Sequence, residues 1–245
     1  MSDKRSELEQ EHASKVRGMF AGISARYDFL NHLLSGNMDK RWRRRVANEL
    51  RRALQSGDER ILDVASGTGD LALTLFESTG ARIVGTDFCR PMLELATRKT
   101  LRRAMPIPFV EGDALSLPFR SEAFDGVTIA FGLRNLASIE VGLSELFRVL
   151  KPGGRAAVLE FSKPVLPGFR ALFRFYFERV LPLLGGLVSG SKSAYRYLPA
   201  SVANFPDQER LASLMSEIGF EAVEYQNLTG GVAAIHLGTK PSKLP

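Results

Sequence analysis

The residues of this chain best suited to chemistry are Asp63, Ser66, Gly67, Thr68, Gly69 and Asp87. The apolar run Ile61-Leu62-Asp63-Val64 leads into Ala65-Ser66-Gly67-Thr68-Gly69-Asp70, and a second apolar run, Ile83-Val84-Gly85-Thr86, ends on Asp87. Glycines let the backbone approach a ligand closely, and a carboxylate ending the next strand accepts hydrogen bonds from a ribose. The chemistry implied is recognition of a nucleoside-like group. Gly67-Thr68-Gly69-Asp70-Leu71-Ala72 also fits the G-x-G-x-x-A form of the dinucleotide fingerprint, so a dinucleotide is one reading. Two acids favour S-adenosylmethionine. Asp63, inside the first strand, would repel a pyrophosphate but suits the ammonium of a methionine moiety. Asp113, in Glu111-Gly112-Asp113-Ala114, ends a third strand where it can accept from an adenine amine. Asp87 has a second reading as a helix cap, since Pro91 follows shortly.

These side chains need a frame, and the hydrophobic pattern supplies one. Strands are expected at 60–65, 82–87, 107–111, 124–131 and 155–161, and helices at about 70–79, 91–103 and 139–150. Strands separated by helix-length segments imply right-handed crossovers and a parallel sheet. Pro152-Gly153-Gly154 reads as a turn from helix to strand. A helix at about 207–218 and strands at 220–228 and 232–239 follow, the short Thr229-Gly230-Gly231 link suiting a hairpin. The expected fold is α/β: a doubly wound, mostly parallel sheet with a C-terminal antiparallel hairpin, N-terminal helices and a helical lid insert. One unit spans 1–245, divided into a helical cap at 16–54, a cofactor-binding core at 60–162, a substrate lid at 163–200 and a tail at 201–240. Residues 1–15 read as a loose polar lead-in, and Tyr27-Asp28-Phe29-Leu30-Asn31 as an interruption of the cap helices.

Composition narrows the class. The chain has 245 residues, 44% of them hydrophobic, enough for a sizeable core. No apolar run is long enough to span a bilayer, and the polar N-terminus lacks a signal-peptide core. The single cysteine, Cys89, and three scattered histidines suit a reducing cytoplasm and give no zinc-site spacing. The net charge is +6. Lys40, Arg41, Arg43, Arg44, Arg45, Arg51 and Arg52 crowd a segment whose only acid is Glu49. A solvated helix face and an anionic membrane surface are both open readings, while no nucleic-acid module accompanies the charge.

The chain resembles the C-methyltransferases of menaquinone and ubiquinone biosynthesis from about Val16 to Lys240. The resemblance is carried by Tyr27-Asp28-Phe29-Leu30-Asn31 with Ser35 and Trp42, by Phe131-Gly132-Leu133-Arg134-Asn135, and by Arg148-Val149-Leu150-Lys151-Pro152-Gly153-Gly154 through Leu159-Glu160-Phe161-Ser162. Tyr195-Arg196-Tyr197-Leu198, Phe205-Pro206 and Gly231-Val232-Ala233-Ala234-Ile235-His236 add to it. It implies a class I methyltransferase fold and methyl transfer from S-adenosylmethionine to a ring carbon of a reduced polyprenyl quinone. Mapped onto this sequence, Thr68, Asp87, Asp113 and Ala114 become cofactor contacts, joined by Phe88, Ala130 and Tyr27, the last closing over the methionine end. The chain departs from the family at Leu30 (usually methionine), Asp39 (histidine), Ala65 (glycine), Ala130 (often serine) and Asp113 (often asparagine).

A neutral ring carbon is a poor nucleophile, so the site needs a base or an oxyanion stabiliser and no metal. Arg134 is expected to stabilise the quinol oxyanion and Asn135 to orient it; the alternative is a structural arginine paired with an acid such as Glu160. Candidate proton acceptors are Tyr195, Tyr197, His32, His236 and an ordered water, with His236 equally a packed core residue. The lipidic acceptor implies cytoplasmic protein associating peripherally with anionic membrane through 163–186 and 40–52, unless the insert is lid core or a homodimer interface. The Lys163-Pro164 to Pro182 region and Phe205-Pro206 lean towards the menaquinone precursor. Competing readings are methylation of another small or lipidic acceptor, an NAD-dependent oxidoreductase, and a non-catalytic assembly subunit.

Overall fold

The structure, a computed structural model, describes residues 2–24, 27–54, 58–165, 168, 179 and 192–242. Three helices lead: α1 (Ser2–Ile23), α2 (Tyr27–Leu34) and α3 (Met38–Ala53). Strand–helix alternation follows with β1 (Arg60–Val64), α4 (Asp70–Thr79), β2 (Arg82–Asp87), α5 (Arg90–Arg102), β3 (Phe109–Glu111), β4 (Phe124–Ala130), α6 (Ile139–Val149) and β5 (Leu150–Phe161). The tail holds α7 (Lys192–Asn204), α8 (Gln208–Ile218), β6 (Glu221–Leu228) and β7 (Ala233–Thr239). The seven strands form one sheet in the order β3-β2-β1-β4-β5-β7-β6. The first five are parallel; β7 inserts antiparallel between β5 and β6.

Both sheet faces are covered, which is why β1 carries four consecutive buried residues instead of an alternating pattern. Period-two geometry sorts its side chains. Leu62, Val64, Val127, Ile129 and Val158 pack with Leu143 and Leu146 of α6 and Met215 of α8. Ile61, Ile83, Ala157, Leu159 and Ile235 face the other way, onto α3 and α4. Helix α3 buries Trp42, Val46, Ala47 and Leu50 at helical spacing. Its Trp42 indole donates to Thr229 Oγ1 at 3.0 Å, tying the leading helices to the β6–β7 hairpin.

Three expectations are revised. Residues 2–15 continue α1 and are no loose lead-in; the stretch before Gly18 holds neither glycine nor proline, and Leu, Glu, Gln, Lys and Arg are good helix formers. Tyr27–Asn31 does not interrupt a helix but begins α2. Pro152-Gly153-Gly154 lies within β5, because Gly153 N–H donates to Lys240 O and Lys240 N–H to Gly154 O, extending the ladder past an irregularity opposite Phe124–Gly126. The lid expected at 163–200 is described only in its end segments and at residues 168 and 179, and the apolar residues of the run 169–184 lie outside the described residues.

Gly85 shows how tightly the cofactor-side strands pack. A Cβ there would lie 2.4 Å from the Phe109 ring and 2.8 Å from Ser66 Oγ. Gly85→Ala is therefore expected to cost about 1–3 kcal/mol by overpacking, read as a lower urea midpoint with unchanged slope.

Candidate functional site

A cleft of about 780 Å3, including its open mouth, sits at the carboxyl ends of β1 to β4, the edge where such sheets bind ligands. Ala65 and Gly67 line it after β1, Asp87 and Phe88 after β2, Gly112 to Leu115 after β3, and Ala130 to Gly132 with Asn135 after β4. Phe20 of α1 and Tyr27 of α2 close it from above the sheet edge, their rings edge to face at 5.7 Å. The cleft thus gathers eight of the residues singled out in the sequence: Tyr27, Gly67, Asp87, Phe88, Asp113, Ala114, Ala130 and Asn135. It does not take in Asp63, Ser66, Thr68, Gly69 or Arg134.

Asp87 organises the nucleoside end. One carboxylate oxygen accepts from Gly67 N–H and the other from Cys89 N–H, each at 2.8 Å, so both the capping reading and the turn-facing reading describe it. A carboxylate has about four acceptor sites, so capacity for a ribose hydroxyl remains beside its backbone N–H donors. Burial pushes this carboxyl upward, opposed by the Cys89 and Gly67 N–H groups. Asp113 accepts from Leu115 N–H at 2.9 Å and lines the same cleft. Gly67 sits at φ 55° with open space where a Cβ would be, so its backbone is free to be approached. These features fit a nucleoside-bearing cofactor: a carboxylate with spare acceptor capacity, a bare backbone turn and an apolar wall.

Asp63 has another task. It is 1% exposed, accepts from Thr128 Oγ1 at 2.9 Å on the neighbouring strand and from Ser66 Oγ at 3.0 Å. It therefore braces the turn from beneath and does not line the cleft. Burial pushes its carboxyl up to about 7 against the Thr128 and Ser66 bonds. Thr68, expected to touch cofactor, is 2% exposed and donates to Asp28 of α2. Gly69 N–H donates to Ser66 O at 2.9 Å, and Gly69 O accepts from Leu73 N–H, opening α4.

Arg134 and Asn135 lie in a short 3-10 turn after β4. Arg134 pairs with Glu160 at 2.8 Å, the side chains 6% and 2% exposed, so the structural alternative describes its main contact. It also donates to Phe131 O, as does Asn135 Nδ2 at 3.1 Å. Arg134 Nε has no hydrogen-bond partner among the described residues. The Tyr197 hydroxyl donates to Asn135 Oδ1 at 3.1 Å. Arg134 and Tyr197 also line a second cavity of about 540 Å3 with Ser201, Asn204 and Phe205. Burial raises the Tyr197 and Tyr27 hydroxyls above the usual tyrosine value, so both hold their protons and serve as donors.

His236 is a core residue: 2% exposed, bonded through Nε2 to Gln208 O at 2.9 Å, and lowered by burial towards the neutral form. His32 is engaged with Asp39 at 2.7 Å. The trio His32, Asp39 and Asp70 has metal-ligand spacing, but Arg43 and Lys99 already pair with its carboxylates. The side chain of Tyr195 lies outside the described residues. Sequence reasoning missed Asp28, Lys99 and Asp70 as a group. Their separation in sequence hid it, and only the (i, i+4) step from Asp28 to His32 signalled a polar face.

A 3-2-1-4-5-7-6 sheet with a reversed seventh strand, a glycine turn after β1 and an acid ending β2 is the class I S-adenosylmethionine-dependent methyltransferase fold. Solved structures agree at the level of fold: a SAM-dependent methyltransferase from Aquifex aeolicus (TM-score 0.56, 17% identity, 76% of this chain and 84% of that one) and the cyclase SpnF (TM-score 0.62, 19% identity, 82% and 81%). Residues 8–240 match the model of the ubiE/COQ5 methyltransferase family, and the chain belongs to that family. Among its relatives are a demethylmenaquinone methyltransferase of Thermus thermophilus, 55% identical over 91% of this chain and 100% of that one, and one of Deinococcus radiodurans, 49% identical over 94% and 95%. A ubiquinone/menaquinone biosynthesis C-methyltransferase of Geotalea uraniireducens is 46% identical over 94% and 98%.

The raised Asp63 carboxyl has a stability signature. An acid whose folded value is about 7 and whose ordinary value is 3.8 holds its proton better when folded. Its contribution is fully present below the ordinary value and lost as pH rises through about 7. Asp63→Asn should therefore gain stability relative to wild type as pH rises across that window, measured as the difference between the two urea midpoints. A difference independent of pH would remove the assignment.

Proposed function

We propose that this chain transfers methyl from S-adenosylmethionine to a ring carbon of a reduced polyprenyl quinone precursor, foremost demethylmenaquinol giving menaquinol. The observation that carries it is the adjacency of two spaces across the Arg134–Asn135 turn: a nucleoside-fitting cleft on one side and the Tyr197-lined cavity on the other. The names of the Thermus and Deinococcus relatives support the acceptor, and the Geotalea relative keeps the ubiquinone-pathway benzoquinol as the second reading.

The cofactor brings an electrophilic methyl group on sulfonium sulfur. Asp87, Gly67, Phe88, Asp113 and Ala114 would hold its nucleoside, with Tyr27 and Ala130 enclosing the methionine side. The chain's remaining task is to enrich the acceptor carbon. Arg134, its charge balanced by Glu160, keeps Nε without a partner among the described residues, while Tyr197 spends its one proton on Asn135 Oδ1 and holds that amide in place. The guanidinium favours the quinol oxygen as an anion, which raises electron density at the adjacent carbon. In the balanced reaction a carbon–carbon bond forms, the sulfur–methyl bond breaks, and the proton displaced from the ring carbon passes to solvent. Asn135, fixed by Phe131 O and the Tyr197 hydroxyl, orients the pair.

Incubation with S-adenosylmethionine and reduced demethylmenaquinone should give a product heavier by one CH2, read by mass spectrometry, with the benzoquinol precursor in a parallel arm. Gain in neither arm while S-adenosylhomocysteine binds would point to another acceptor; preferential NADH binding would support the oxidoreductase.

The acceptor is lipidic, and no helix among the described residues is long and apolar enough to cross a membrane. The proposal therefore includes peripheral contact with bilayer. Phe29 (60% exposed) and Leu33 (52%) present an apolar strip on α2, and the exposed Lys40, Arg41 and Arg44 of α3 follow it after the Ser35–Asn37 turn. Arg43 by contrast turns inward, and Arg45 and Arg52 pair with Glu49. An apolar strip beside unpaired cations suits an anionic lipid surface. The protein should cosediment with phosphatidylglycerol vesicles, less with phosphatidylcholine and less as salt rises, and Phe29→Ser with Leu33→Ser should weaken it. Indifference to lipid charge and salt, or a dimer in solution buried through this strip, would count against membrane contact.

A further inference from the structure

Helix α2 carries Tyr27 at the cleft, yet its Phe29 and Leu33 are exposed, so apolar packing on those positions does not hold it there. Polar contacts do. Asp28, His32 and Ser35 recur along the helix and its C-terminal turn and each is engaged. Asp28 accepts from Thr68 Oγ1 and lies 2.5 Å from Lys99 Nζ. Lys99 also bonds Asp70 at 2.7 Å, and Asp70 is 3.6 Å from His32 Nε2. His32 Nδ1 and Ser35 Oγ each meet Asp39 at 2.7 Å, and Arg43 closes the circuit onto Asp39 and, at 4.0 Å, onto Asp70. Three carboxylates thus face Arg43, Lys99 and one histidine.

The attachment points matter more than the charges. Thr68 belongs to the glycine turn, one residue from Gly67, whose N–H meets Asp87. Asp70 opens α4, and Lys99 stands on α5. The network therefore joins the helix above the cleft to the turn that forms its floor. We propose that Asp28 is a positioning residue for methyl transfer: bonded to Thr68 and Lys99, it clamps α2 so that Tyr27 closes the cleft over the bound cofactor. This rests on the reading of the cleft as a S-adenosylmethionine site. Thr68 then serves cofactor binding through Asp28 and not by touching the ligand.

The test separates clamping from both direct contact and bulk stability. Thr68→Val removes the hydroxyl at constant shape, Thr68→Ser keeps it, and Asp28→Asn removes the charge. S-adenosylhomocysteine affinity by calorimetry, steady-state kcat and KM, and melting midpoints are measured on the full chain. Thr68→Val and Asp28→Asn should each weaken binding and raise the cofactor KM by about tenfold, with kcat falling less, the size expected for one hydrogen bond to a charged group. Thr68→Ser should restore near wild-type values. Thr68→Val added to Asp28→Ala should lose no more than Asp28→Ala alone, because the Thr68–Asp28 bond is already absent there. Effects that multiply in the double variant, or folded variants binding within about twofold of wild type, overturn the clamp. If Asp28→Asn fails to fold, Lys99→Met, which removes the other partner of Asp28 and lies on α5, takes its place beside the Thr68 Val/Ser comparison. Wild-type protein that does not bind S-adenosylhomocysteine at all would overturn the cofactor reading instead.

Discussion

Two residues with side chains, Ala65 after β1 and Phe131 after β4, are held at φ 51° and 56°, in the left-handed region that disfavours a Cβ. Each such residue costs on the order of 1–3 kcal/mol and persists only where its surroundings over-determine it. Here they do. Ser66, next to Ala65, is bonded by its N–H to Thr86 O at 2.9 Å and by its hydroxyl to Asp63. Phe131 N–H donates to Leu159 O at 2.8 Å, while its carbonyl receives both Arg134 and Asn135. The two turns also touch: a Cβ on Gly132 would lie 2.5 Å from that of Ala65. The floor and the side wall of the cleft are therefore one strained unit, and the remaining site residues are placed relative to it.

Several buried polar groups make sense as parts of that unit. Asp63 sits between β1 and β4 and braces the Ser66 turn from below by accepting from Thr128 Oγ1 and Ser66 Oγ. Glu160 braces the Phe131 turn from the β5 side through Arg134. A buried ion pair contributes little net stability against well-packed apolar residues, but losing one partner is costly. Its value here lies in geometry: Glu160 fixes the guanidinium that grips Phe131 O and leaves Nε available. The pairing with Glu160 describes the main contact of Arg134 and fixes the orientation of its guanidinium.

The sheet was legible because strands buried on both faces are apolar without interruption and crossover helices have their own period. Every expected strand from 60 to 239 is present, with ends shifted by a few residues where β5 absorbs its Pro-Gly-Gly segment. The cleft was legible at Asp87, Asp113 and the glycines, because backbone-approach chemistry is written in consecutive residues. What escaped was the use of polar side chains that look alike in sequence. Asp63, Asp87 and Asp113 all end or interrupt strands, yet register turns only the last two into the cleft, while Asp63 faces Thr128 across the ladder. Thr68 carried no mark of its partner, which is forty positions away in a helix that sequence alone treated as a break.

Fold alone would not have decided the chemistry, since a cyclase shares this architecture with methyltransferases. What distinguishes this chain is how its N-terminal basic helices are spent. In α3 the inward positions Asp39 and Arg43 join the network under α2, and the outward positions Lys40, Arg41 and Arg44 remain free of ion pairs among the described residues. Helical spacing forces this division, because residues 39 and 43 share a face that 40, 41 and 44 do not. One short hairpin of helices therefore covers the cofactor cleft with one surface and offers cations and the Phe29–Leu33 strip with the other. The same two-helix segment thus carries a polar network on its inner side and an exposed apolar and cationic surface on its outer side.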